Sequence, residues 1–271
     1  MTTYKEINGT NIEAVASDPS NPVEGQVWYN TTSNTVKANY INPGSWATGG
    51  SLNTARSALA GAGTQTAALA FGGSPPVVAI TESYNGTSWT EVNDMNTARY
   101  RLAGVGTQTA ALVFGGFIPP STAATETWNG TNWTAVNSMN TARHFLAGAG
   151  TNTAALAFGG ESPITAITEL WNGTNWAEVN DLNTARFQLA GCGTQTAALG
   201  FGGYSGPITA NTETWNGTNW TEVNNLNTAR QGLAGAGTNT AALAFGGTPA
   251  PTGNTESWNG TNWTEVGDLG T

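Results

Sequence analysis

The sequence predicts an all-β protein assembled from copies of one structural unit, and three observations carry that prediction. The first is self-similarity. The tetrapeptide Asn-Thr-Ala-Arg ends at Arg56, Arg99, Arg143, Arg186 and Arg230, a Gly-Gly doublet falls at Gly72, Gly115, Gly159, Gly202 and Gly246, and both markers step by 43, 44, 43 and 44 residues. A fixed period of this size marks propeller blades, solenoid turns or arrays, in which one unit buries its apolar face only against its neighbours. The second is composition: the chain is rich in Gly, Thr, Asn and Ala and only 9% charged, which suits short strands and tight turns and is poor helix material. The third is that each repeat divides at its Gly and Asn turn signals into four short β-rich runs.

Taken in order, residues 1–25 hold the breakers Asn8-Gly9, Asp18-Pro19 and Asn21-Pro22 with little periodicity between them, and read as an extended leader. Residues 26–50 read as a β-hairpin and partial blade: Gln26–Asn30 and Thr35–Ala38 flank a polar turn, and Trp46 to Arg56 copies the ten-residue step from Trp89 to Arg99. Residues 51–271 are the repeat domain. Its first strand, Leu59–Gly63, is built of Gly and Ala, as a strand crowded by its neighbours near a central axis requires. The second, Ala67–Phe71, is apolar without alternation, so both faces must be covered. The third, Ile80–Tyr84, and fourth, Trp89–Val92, flank the turn Asn85–Ser88, placing Tyr84 opposite Trp89 and, in later copies, Trp128 opposite Trp133, Trp171 opposite Trp176, Trp215 opposite Trp220 and Trp258 opposite Trp263. The Asn-x-Thr triplets in these turns have the form of glycosylation acceptors, but Asn-Gly is what tight turn geometry asks for.

Several function classes are disfavoured by charge and by missing motifs. The net charge is −9 with eight cations, five of them the repeat arginine, so no basic surface for nucleic acid is expected. The opening Met1–Glu6 leads into no apolar signal core and no run of about 18 apolar residues follows, so neither membrane insertion nor a signal peptide is expected. Cys192 stands where the other copies carry Ala62, Val105, Ala149 and Ala236, which reads as a small packed residue rather than a nucleophile. His144 is the sole histidine and reads as a surface-loop residue. With no metal-ligand spacing and no nucleophile motif beside that histidine, no cofactor, metal or catalytic set is expected.

The order Gly-Gly, then Glu and an aromatic, then Trp, then Arg, repeated across residues 46–267, resembles the kelch repeat, a four-stranded blade of a β-propeller. The resemblance implies a kelch-like propeller, and the five copies of the repeat give five four-stranded blades plus an extra N-terminal hairpin or partial sheet. The leader segment Asp18–Lys37, together with the Trp-Asn-Gly-Thr-Asn-Trp repeat text, is similar to marine bacteriophage tail and fibre structural proteins. That resemblance implies a virion protein that docks other virion proteins through its N-terminal segment and displays the propeller for host attachment or decoration, with a host surface glycan or protein as partner.

A different function class is suggested by carboxylates. Hairpin register would set Glu82 opposite Glu91, Glu169 opposite Glu178, Glu213 opposite Glu222 and Glu256 opposite Glu265, and paired carboxylates are what glycoside hydrolysis uses. The alternative is therefore a carbohydrate-active enzyme, or a free lectin, on a propeller scaffold. Four copies of one active site are implausible and Glu126 would face Ala135, so each repeat Glu is expected to pair with a repeat Arg instead. The differences among copies concentrate after each Arg and after each Gly-Gly, two places that an up-and-down blade brings to one face. That face supplies the candidate binding residues Tyr100, Arg101, Phe117, His144, Phe145, Phe187 and Tyr204.

Overall fold

The computed structural model describes residues 13–17, 19, 27–38, 45–249 and 253–270. The chain divides into two compact units, Met1–Gly44 and Ser45–Thr271. In the first, Val27–Asn30 and Thr35–Ala38 form the antiparallel hairpin that their β-rich composition predicts, with Trp28 opposite Lys37 and Tyr29 opposite Val36. The Asn30 side chain closes the turn, its Oδ1 accepting from the amides of Thr32 and Ser33 at 3.0 and 2.9 Å. Within the stretch read as an extended leader, Glu13–Val15 adds to this hairpin as a parallel edge strand. The Thr31 amide and Thr32 hydroxyl donate to the carbonyls of Val15 and Ala16, so the hairpin's own turn supplies the partners. Residues 1–12, 18 and 20–25 lie outside the described residues. Ser45–Gly50, the part of residues 26–50 read as a partial blade, falls in the same unit as the repeats.

The second unit is all-β and contains five four-stranded antiparallel sheets. The first runs Ala60–Thr64, Ala67–Phe71, Thr81–Tyr84, Trp89–Val92, and the second Ala103–Thr107, Ala110–Phe114, Thr125–Trp128, Trp133–Val136. The third runs Ala147–Gly150, Ala155–Phe158, Thr168–Trp171, Trp176–Glu178, and the fourth Ala190–Thr194, Ala197–Phe201, Thr212–Trp215, Trp220–Val223. The fifth runs Ala234–Gly237, Ala242–Phe245, Thr255–Trp258, Trp263–Val266. Sequential strands pair as meanders, and the aromatic pairs face one another across the outer hairpin as their spacing requires. In those hairpins the Asn85 side chain accepts from the amides of Thr87 and Ser88, each at 3.0 Å, and the other copies repeat the motif, so the Asn-Gly-Thr text is turn chemistry.

Successive sheets pack face to face, and each of the four interfaces holds its own apolar cluster. The Phe that ends a second strand is the main projection: Phe71, Phe114, Phe158 and Phe201 meet Trp133, Trp176, Trp220 and Trp263 of the next sheet at 4.8–5.1 Å between ring centres. The same Phe decides why first strands carry Gly at their second position. A Cβ on Gly104 would lie 2.4 Å from Phe71 Cζ, and one on Gly235 would lie 2.5 Å from Phe201 Cζ. From the second sheet on, the outer-strand indole then reaches back one sheet, Trp133 Nε1 donating to Thr81 Oγ1 at 3.0 Å and Trp176, Trp220 and Trp263 repeating the bond.

The Asn-Thr-Ala-Arg connector, which enters each sheet from the preceding one, locks it through the third strand. The Glu169 carboxylate takes Arg143 Nη1 on Oε1 at 2.5 Å, and on Oε2 it accepts the backbone and side-chain N–H of Asn140 at 2.7 and 2.8 Å. The same Asn side chain donates to the Trp176 carbonyl at 3.2 Å, tying in the fourth strand. Arg56–Glu82, Arg99–Glu126, Arg186–Glu213 and Arg230–Glu256 repeat the ion pair, and Asn53, Asn96, Asn183 and Asn227 repeat the amide grip. Burial would raise the Glu82 carboxyl pKa, but the Asn53 amide, the Arg56 guanidinium and the Thr54 amide together hold it below the usual carboxylate range. Burial pushes Arg99, Arg143 and Arg186 down, opposed by their Glu partners.

The faces at the two ends of the series are less covered. Ala62 of the first sheet and Ala236 of the fifth are half-buried and exposed, where Ala149 is 3% exposed. Trp46, at the start of the unit, meets the fifth sheet: its indole donates to Thr255 Oγ1 at 3.1 Å and its ring lies 5.0 Å from Phe245. Asn53 and Arg56 of the same short segment grip the first sheet.

Removing a clamp arginine strands a buried carboxylate, so Arg143→Met should cost about 3–5 kcal/mol. Adding Glu169→Gln removes the stranded charge and should recover part of that loss. Urea unfolding of the two variants checks both statements, and a double variant no more stable than the single one would show that the charge is not what the arginine neutralises.

Candidate functional site

In each repeat the segment after Arg pairs with the segment after Gly-Gly through an isolated antiparallel bridge: Ser57 with Ser74, Tyr100 with Phe117, His144 with Glu161, Phe187 with Tyr204 and Gln231 with Thr248. The pairing has a backbone cause. Phe117, Glu161 and Tyr204 donate their amides to the carbonyls of Tyr100, His144 and Phe187, each at 2.8 Å, while the preceding Gly116, Gly160 and Gly203 donate theirs to Arg143, Arg186 and Arg230 of the following copy at 2.7–3.0 Å. The variable positions of one copy are therefore brought beside each other.

One residue further on, consecutive copies are tied together. The amides of Arg101, Phe145, Gln188 and Gly232 donate in turn to the carbonyls of Ala58, Arg101, Phe145 and Gln188 at 2.8–2.9 Å. All five residues sit in the left-handed region, with φ between 53° and 64°, where a non-glycine residue is strained. Their arc surrounds a depression of 190 Å³, lined by these five residues and by the Leu that follows each: Leu59, Leu102, Leu146, Leu189 and Leu233.

The seven residues singled out from the sequence form one contiguous belt beside this depression. Ring centres run Tyr100 to Phe117 at 5.6 Å, Phe117 to His144 at 4.9 Å, His144 to Phe145 at 5.2 Å, Phe145 to Phe187 at 5.9 Å and Phe187 to Tyr204 at 5.3 Å. The Arg101 guanidinium lies over Phe145 at 4.4 Å, Tyr100 at 4.9 Å and Phe117 at 5.9 Å, within cation–π range of all three. The rings of Tyr100, Phe117, Phe145, Phe187 and Tyr204 are half-buried.

His144 departs from its expected place as a surface-loop residue, being 7% exposed. Phe117 and Phe145 enclose it, Ser121 Oγ meets its Nδ1 at 2.9 Å and Glu161 Oε2 lies 3.5 Å from its Nε2. Burial lowers its pKa below the ordinary value, Glu161 opposes that shift and the Arg101 charge adds to it. Ser121 and Glu161 escaped sequence reasoning because they lie in post-Gly-Gly loops whose text differs in every copy. The lining leucines escaped it for the opposite reason, being constant from copy to copy where the candidate residues were chosen for their differences.

The other chemistry-bearing groups are held elsewhere. Glu82 does face Glu91, and Glu169 faces Glu178, as the register argument requires, with Glu126 opposite Ala135. The inner member of each pair is the clamp carboxylate, 0–2% exposed with both oxygens engaged by the connector, so it is not presented to a substrate. Cys192 is buried at 7% and its thiol is pushed up to about 12 by that burial, which suppresses the reactive thiolate. Among the described residues no group of three or more His, Cys, Asp or Glu could hold a metal ion. No protein-family model matches the chain, and no curated protein matches it.

Because the folded-state pKa of His144 is lowered, the unfolded chain binds more protons between that value and about 6.5. Stability should be complete above pH 6.5 and fall as pH drops through the window. Phe187 occupies the corresponding position in the next copy, so His144→Phe should fold and should flatten the slope of the urea midpoint between pH 7.5 and pH 5.

Proposed function

We propose that the protein is a virion appendage component whose repeat unit is a kelch-like propeller displaying the aromatic belt as a recognition face for a host-surface glycan or protein, and whose N-terminal segment docks onto the particle. The observation that carries the recognition reading is the belt itself. Residues that differ between copies, at two separate places in sequence, converge into one run of six rings and a guanidinium, while the opposite hairpin turns repeat nearly unchanged. Large amphipathic rings with an ordered cation are what binding surfaces use to gain contact area at low entropic cost. The virion assignment rests on the likeness of the leader and repeat text to phage tail and fibre proteins.

Closure of the repeats into a ring is part of the same reading. Trp46 bonds to the fifth sheet as each outer-strand Trp from the second sheet on bonds to the sheet before it, and the connector that follows it grips the first sheet. Residues 46–56 thus stand in the place of the outer strand of a sixth blade, between the fifth sheet and the first, giving five complete blades and one residual position. Trp46→Ala should lower the thermal midpoint through the loss of its contacts to Phe245 and Thr255. A midpoint unchanged by that substitution would overturn closure through Trp46.

The copies themselves suggest the gentlest way to erase the belt, because Ser57, Ser74 and Thr248 occupy its positions in copies without rings. The triple substitution Tyr100→Ser, Phe117→Ser and Tyr204→Thr should leave cooperative unfolding intact and abolish competition by the purified protein against particle adsorption to host cells. Undiminished competition would sink the recognition face. Mass spectrometry of purified particles tests the virion assignment independently, with absence of the chain as the refuting result.

A further inference from the structure

We infer that the depression at the centre of the arc is a subsite for an acidic sugar, with Arg101 receiving the carboxylate of the ring. This deepens the recognition reading above and rests on it. Arg56, Arg99, Arg143, Arg186 and Arg230 are each spent on a buried Glu. Arg101 is the remaining cation of the repeat unit, and among the described residues no carboxylate or other side-chain acceptor meets its guanidinium. A guanidinium is a planar fork of five donors whose geometry matches a carboxylate bidentately. Here that fork is held over the rings of Phe145 and Tyr100, at 4.4 and 4.9 Å, which orders the side chain before a ligand arrives and leaves its donors uncommitted.

The surroundings specify the rest of the ligand. Ala58 and Gly232, small residues at the same position in the first and fifth copies, line the depression together with Arg101, Phe145 and Gln188. Its 190 Å³ is below the range of about 300–1,000 Å³ found for drug-sized ligands, and suits one sugar ring rather than an oligosaccharide. Phe145 supplies aromatic surface for the C–H face of a pyranose, and Gln188 an amide for its hydroxyls. The net charge of −9 repels polyanions in general, so affinity for an acid must come from local recognition and not from a diffuse positive field.

The test uses the full chain and a matched pair of probes, oligomers of a hexuronic acid and of the corresponding neutral hexose, followed by isothermal titration. Wild type should bind the acidic oligomer at least about tenfold more tightly than the neutral one, the scale expected of a charge-assisted bidentate contact. Arg101→Gln, which installs the residue the fourth copy carries at this position, should erase that preference without shifting the thermal midpoint. Phe145→Leu should weaken both probes. Equal affinity for the two oligomers, a preference that survives Arg101→Gln, or no binding of either would each overturn the acidic-sugar subsite. The adsorption competition with the three-ring variant reads the recognition face separately, so a failure here leaves that result to stand or fall alone.

Discussion

One carboxylate per repeat, taken out of water and gripped from both sides, is the constraint on which the repeat unit depends. Glu82, Glu126, Glu169, Glu213 and Glu256 lie on third strands, yet their partners arrive on a connector some 26–30 residues earlier in the chain. A buried ion pair is not in itself a large source of net stability, because desolvation consumes most of the Coulombic gain. Its effect is on specificity. A connector shifted by one residue would leave a buried carboxylate facing apolar side chains, at a cost of several kcal/mol, so the clamp admits one register between connector and sheet.

With the connector fixed, the stacking follows. The clamp positions the Arg backbone, whose carbonyl receives the Gly-Gly turn of the preceding sheet, and that turn places the Phe just before it against the Gly of the next first strand. Each sheet then needs only its neighbours, as in other quasi-one-dimensional repeat proteins. The same economy explains the uneven burial at the ends. Inner sheets are covered on both faces, whereas the first and fifth have one neighbour each and the Trp46 segment between them.

A framework held by the clamp, the Phe–Gly contact and the indole bonds leaves the segments after Arg and after Gly-Gly free to differ. Their backbones are still prescribed, by the isolated bridges and by the arc of left-handed residues, so variation is expressed in side chains presented on a rigid support. That division is the usual arrangement of binding surfaces on stable scaffolds. It also gives the arginines two fates: the repeated ones are consumed in buried pairs with third-strand Glu, and the unrepeated Arg101 lies half-buried among rings.

By itself the sequence determined the period, the four strands of each sheet, the cross-hairpin pairing of the aromatics and the neutralisation of each Glu by an Arg, because these follow from local turn chemistry, alternation and charge balance. It also determined which seven residues share a face, since copies aligned on one another show variation directly. Tertiary structure decided which Arg meets which Glu and that the Asn of the same tetrapeptide holds the other carboxylate oxygen, a contact between segments far apart that no local pattern encodes. It decided that Glu13–Val15 is an edge strand, because three residues without alternation carry no signal of their pairing. It decided that His144 is enclosed, since the rings that cover it come from its own copy and the copy before, and burial is a property of what packs around a residue rather than of the residue's own text.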